Sequence, residues 1–156
     1  TETRAREVGI FEGARLVHFA CHGSFDPASR LGARLLLAPD DREDGSLTAE
    51  EMQALRIPAD LVILSACRTG EGLASRGEGP GTLGRIVHLA GAPSTLVSLW
   101  RIDDRATADL VLAFCEEWLR EGRPKAEALR RARSRLIDGN APPSHWAALV
   151  LQGEPD

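Results

Sequence analysis

The chain has 156 residues, 43% hydrophobic and 27% charged, with a formal net charge of −4. That balance describes one globular domain with a sizeable core; it excludes a disordered segment and argues against nucleic-acid binding, which favours a basic surface. No apolar run approaches the ~20 residues that span a bilayer, and an odd count of three cysteines suits a reducing, cytoplasmic setting with a reactive thiol better than a disulfide framework.

In chain order, residues 1–13 read as a helix with Val8, Ile10 and Phe11 on its apolar side. The run Leu-Val-His-Phe-Ala at 16–20 begins and ends abruptly, as a buried strand does. A loop rich in Gly, Asp, Pro and Ser follows at 23–32. Leu35, Leu36 and Leu37 then precede an acidic turn at 40–45, the mark of a small hairpin or edge excursion. Thr48 and Glu51 form a capping box that opens a helix to about residue 55, with Pro58 as its stop.

Residues 61–65 make a second buried strand, followed by a glycine-rich loop at 68–81. A helix at 82–90 closes on Gly91, and residues 95–99 give a third strand. Asp103 or Asp104 caps a long helix to about residue 120, with Leu110, Val111, Phe114 and Trp118 facing inward. Pro124 suits the first turn of another helix, to about residue 137. Its Arg130, Arg131, Arg133 and Arg135 read as a solvated face rather than a nucleic-acid patch. Residues 147–151 supply a fourth strand. Strands separated by helices imply a parallel sheet covered on both faces. The whole of 1–156 reads as a single domain, and a chain that opens on a helix with no strand before it reads as the C-terminal part of a domain in a longer protein.

Sites in open parallel sheets form beyond the carboxyl ends of the strands. The first strand runs out into Cys21-His22-Gly23 and the second into Ser65-Ala66-Cys67-Arg68. If the strands are neighbours, about 4.8 Å apart, His22 and Cys67 project over the same edge. A thiol becomes a useful nucleophile beside an imidazole, which serves as base and positive neighbour. Acyl transfer also needs donors for the developing oxyanion; the backbone N–H groups of Gly23 and Cys67 are the candidates.

His-Phe-Ala-Cys-His-Gly at 18–23, followed by Leu-Ser-Ala-Cys-Arg-Thr-Gly at 64–70, resembles the CHAT family of caspase-like peptidases, relatives of separases. The resemblance continues through Gly-Glu-Gly-Pro-Gly at 77–81, Leu-Ala-Gly-Ala-Pro at 89–93, the stretch at 98–107 and the closing segment at 145–153. It implies a caspase-like three-layer sandwich and a cysteine endopeptidase acting on a protein substrate. His22 is then the general base and Cys67 the nucleophile, with no metal and no organic cofactor. It implies, too, regulatory modules in the same longer chain or in a partner, in bacteria especially. In separase-like relatives an Asp at the position of Asp104 helps accept a basic side chain, which makes Asp104 a candidate substrate-binding residue with Trp100 as an apolar wall. Cys21 stands where the family frequently has Thr, as a small residue or an oxidative partner for Cys67.

Other chemistries are weaker. Gly-Pro-Gly-Thr-Leu-Gly at 79–84 matches G-x-G-x-x-G but does not follow its strand directly, as a dinucleotide fingerprint does. No C-x-x-C pair anchors a metal site, and His18, His88 and Cys115 read as core or surface residues. Ser65 and Ser98 lack a sequence-adjacent His to make either a nucleophile. The serious alternative is a catalytically silent, caspase-like scaffold module.

Overall fold

The computed structural model describes residues 1–25, 32–65, 81–100 and 103–156. In chain order its elements are α1 (Glu2–Ala5), β1 (Leu16–Phe19), β2 (His22–Phe25), β3 (Ala33–Leu36), β4 (Ser46–Thr48), α2 (Ala49–Ala54) and β5 (Leu61–Leu64). Then come α3 (Gly81–Leu89), β6 (Ser94–Ser98), α4 (Asp104–Cys115), a π-helical turn (Glu116–Arg120), α5 (Lys125–Asp138), α6 (Pro143–Trp146) and β7 (Leu149–Gly153).

All four residues of β5 are buried, which is what an unbroken Leu-Val-Ile-Leu run demands. The strand lies inside a sheet of order β1-β5-β6-β7. It pairs parallel with β1, from Leu16 opposite Leu61 to Phe19 opposite Leu64, and parallel with β6, from Val62 opposite Thr95 to Leu64 opposite Val97. Successive residues of a strand face opposite ways, and the two cores divide accordingly. Val62 and Leu64 pack with Leu35, Met52, Leu83 and Val87, whereas Leu61 and Ile63 pack with Leu110, Phe114, Trp118 and Leu129. The fold is therefore α/β, with a mixed, mostly parallel sheet and packing on both of its faces.

The fourth strand departs from the parallel expectation. β7 runs antiparallel to β6, from Ser94 opposite Gly153 to Ser98 opposite Leu149. The reason is the helical hairpin between them. α4 leaves from the carboxyl edge and α5 returns toward it, so the chain re-enters beside the end of β6, where Leu99 N–H donates to the Ala148 carbonyl at 2.8 Å. The short helix α6 occupies part of the interval, and the strand starts at Leu149 rather than 147.

The expected helix over 1–13 shrinks to α1. Gly9 and Gly13 take φ of +81° and +74°, outside right-handed helix geometry. Val8 is fully exposed, while Phe11 still reaches the core, its ring 6.2 Å from that of Phe19. α1 is anchored instead by buried Glu2, whose carboxylate accepts from Gly45 N–H at 2.9 Å.

The expected loop from 23 begins as strand: β2 pairs antiparallel with β3, and β3 with β4, in a second, three-stranded sheet. Residues 26–31 lie outside the described residues, as do 66–80, which hold Cys67 and nearly all of the glycine-rich loop. The capping box of α2 forms as expected, with Glu51 N–H donating to Thr48 Oγ1 at 3.3 Å and Thr48 N–H to Glu51 Oε2 at 2.9 Å. The long helix is α-helical only to Cys115 and continues as the π turn.

The arginines of α5 are engaged within the fold. Arg130 and Arg131 donate to Glu127, Arg135 to Glu116 and buried Glu117, and Arg133 to the Leu149 carbonyl. Among the described residues no helix is long and apolar enough to cross a membrane.

Candidate functional site

Because β1, β5 and β6 are parallel, they deliver their carboxyl ends to one edge, where α/β proteins build their sites. Cys21 and His22 follow β1, Ser65 follows β5, and Asp104 opens the helix after β6. An open cleft of about 320 Å³ lies there, lined by His18, Cys21, His22, Ser65, Asp104 and Thr107 among others.

His22 begins β2 opposite Leu36 and is exposed on this cleft; Gly23 beside it is buried, opposite Leu35. Cys67 lies outside the described residues, but Ser65, two positions before it, is in place on the cleft wall. The tips of the two strands that carry the expected dyad therefore share one cavity.

One contact in this cleft was set aside at the level of sequence. His18 Nε2 lies 2.8 Å from Ser65 Oγ. His18 is the register partner of Ile63, so its side chain emerges on the same face as Ile63 and, two residues further, Ser65. Parallel pairing thus supplies the His that Ser65 lacks as a chain neighbour. Partial desolvation lowers the His18 pKa from its ordinary value, which favours the neutral ring. Burial also pushes the Cys21 thiol up to about 11, which leaves it protonated and weakly nucleophilic. His18 and His22 have the H-x-x-x-H spacing of some metal sites, but here it runs out of one strand into another rather than along a helix. Among the described residues no cluster of three or more His, Cys, Asp or Glu is placed to hold a metal.

The two aspartates after β6 separate cleanly. Asp103 is the N-cap of α4, its Oδ1 accepting from Arg105 and Ala106 N–H at 3.0 and 3.1 Å. Asp104 has no share in that cap and lines the cleft. Trp100 donates its indole N–H to the Ser144 carbonyl at 3.2 Å, which ties it to α6, and it is not among the cleft's described lining residues. Ser98 Oγ donates to the Trp100 carbonyl. Gly84, the last glycine of the G-x-G-x-x-G match, has a packing reason: a Cβ there would lie 3.1 Å from Thr95 Oγ1 and 3.2 Å from Val97 Cγ1 of β6.

Compared with known families, the chain matches the CHAT domain over residues 3–154. It belongs to the CHAT-domain family. No curated protein matches it. The match spans every described strand and both strand tips that border the cleft.

Proposed function

We propose that this CHAT domain is a cysteine endopeptidase of caspase-like three-layer architecture, with Cys67 as nucleophile and His22 as general base. The observation that carries this reading is the shared cleft: His22 is exposed on it, and Ser65, two residues before Cys67, forms part of its wall. In the proposed reaction His22 takes the thiol proton and the Cys67 thiolate attacks the scissile carbonyl. Backbone N–H groups of Gly23 and Cys67 receive the oxyanion. The imidazolium returns its proton to the leaving amine, and His22 then activates the water that hydrolyses the acyl-enzyme. No step calls for a metal or organic cofactor.

Asp104 is the proposed selector, a carboxylate on the cleft that receives a cationic side chain of the protein substrate; Trp100 is the proposed apolar wall. Regulatory segments of a longer chain, or a partner, are the proposed source of activation. The free thiols of Cys21 and Cys115 suit a cytoplasmic setting.

The test is site-resolved alkylation of Cys67 against pH, in wild type and His22→Ala, followed by peptide-library cleavage with Cys67→Ala as control. A Cys67 titration well below about 8.5 that His22→Ala abolishes is the expected result. An ordinary thiol in both proteins overturns the dyad, and a biological effect retained by Cys67→Ala favours the silent scaffold.

A further inference from the structure

Four residues before His22 and two before Cys67 stand the two side chains that meet across the sheet, His18 and Ser65. Their 2.8 Å contact runs from His18, inside the β1–β5 ladder opposite Ile63, to Ser65, one residue past the last register pair, Phe19 with Leu64. Among the described residues the β1–β5 ladder ends at that pair, and the chain after β1 turns through Cys21 into β2, which pairs with β3 in a different sheet. His18 is thus fixed by the ladder, and its ring reaches the first residue after β5, outside it.

We propose that the His18–Ser65 hydrogen bond is a positioning clamp, holding the exit of β5 against the body of β1 so that Cys67 meets His22. The inference rests on the dyad reading above. Neither residue touches the reacting atoms in this scheme; His18 acts through Ser65, and Ser65 through the segment that follows it.

Three features support the assignment. The bond survives a change of tautomer, because the hydroxyl can donate to Nε2 or accept from Nε2–H. Desolvation lowers the His18 pKa, which disfavours a second positive charge beside the thiolate that would compete with the imidazolium of His22. The groups that line the cleft with the pair include Cys21, His22, Asp104 and Thr107. Of these, Cys21 is a protonated thiol, so it does not rival Ser65 as a strong acceptor for the ring.

The experiment measures the pH dependence of Cys67 alkylation and the melting temperature in wild type, Ser65→Ala, Ser65→Thr, His18→Gln and His22→Ala. Losing one hydrogen bond is worth about fivefold in the population of the aligned arrangement. Ser65→Ala is therefore expected to slow Cys67 alkylation at pH 7 about fivefold and to move its titration toward that of His22→Ala. Ser65→Thr, which keeps the hydroxyl, restores the wild-type profile. His18→Gln retains a donor and acceptor and is expected to fall between the two. A lowered wild-type titration that Ser65→Ala leaves unchanged overturns the clamp alone. A wild type indistinguishable from His22→Ala overturns the dyad, and the clamp falls with it. Loss of the Cys67 shift matched by a broad collapse in melting temperature in both Ser65→Ala and Ser65→Thr also overturns it, since the role is then general stability.

Discussion

Asp103 and Asp104 are chain neighbours with separate surroundings: the Asp103 carboxylate closes the first turn of α4 through two backbone N–H groups, while Asp104 lines the cleft beside His18 and His22. Replacing the cap should cost about 1 kcal/mol, or roughly 2–4 °C of melting temperature for a domain of this size. Asp103→Ala is therefore expected to lower thermal stability without changing the relative cleavage of peptides with Arg, Lys or Leu before the scissile bond. Asp104→Ala is expected to do the reverse, reducing cleavage after Arg and Lys relative to Leu. A preference that survives Asp104→Ala removes that residue from the substrate pocket.

Cys21 offers a test from burial alone. Its thiol is pushed from an ordinary value of 9.0 up to about 11 by desolvation, so it stays protonated at neutral pH. Cys115 is displaced in the same direction for the same reason. Since the folded value exceeds the unfolded one, the stability contribution is complete below pH 9 and is lost as pH rises through about 11. Mass-spectrometric alkylation at pH 8 should therefore find Cys21 and Cys115 reacting more slowly than free cysteine, and Cys21→Ser should flatten the alkaline fall in stability. Rapid labelling of Cys21 at pH 8 contradicts this.

Much of the frame was legible because local chemistry and tertiary packing agree there. The fully buried Leu61–Leu64 run reads as an inner strand, and Thr48 with Glu51 announces a cap that forms as read. What stayed hidden depended on the path of the chain through space. The antiparallel sense of β7 follows from α4 and α5 forming a hairpin, which no local pattern in 147–151 encodes. The apolar residues Val8, Ile10 and Phe11 suggested a helix, yet Gly9 and Gly13 at positive φ override them. At the cleft, His22 was legible as a strand-end imidazole. The His18–Ser65 contact was not, because it needs the β1–β5 register, and the residues are 47 apart in the chain. A two-residue offset between parallel strands carrying His and Ser was the signal that would have found it.

Gly153 ends β7 at φ +89°, and a Cβ built there would collide with the Pro93 carbonyl oxygen and stand 2.7 Å from His88 Cε1. Neither the conformation nor the space admits a side chain. The backbone penalty alone is about 1–2 kcal/mol, and the clash with main-chain oxygen cannot be relieved by a rotamer change. Gly153→Ala is expected to lower the melting temperature by roughly 4–8 °C, measurable by circular dichroism. Gly122→Ala shares the positive φ, +66°, but has no atom within 4 Å, so it should cost the conformational part only. Equal effects of the two would show that the contact with Pro93 is not tight.

Acid sensitivity follows from two carboxylates, Asp40 exposed and Glu127 partly so. Asp40 is held down to about 2, first by the Thr3 hydroxyl and also by Thr1 and the Arg42 and Glu43 backbone. Glu127 is held down to about 2 by hydrogen bonds from Arg130 and then Arg131. Folded values below unfolded ones mean that the stabilisation is present above the usual carboxylate range and is lost as pH falls from about 4 through 2. Asp40 is exposed and Glu127 partly exposed, so salt screens them and each contribution is small. Stability measured by denaturant titration should therefore decline between pH 4 and 2, and Asp40→Asn combined with Glu127→Gln should make that decline shallower. The difference should shrink at 1 M salt, where the screening length is about 3 Å; the hydrogen bonds to Asp40 leave a residue of it there, whereas the arginine pairs of Glu127 weaken first.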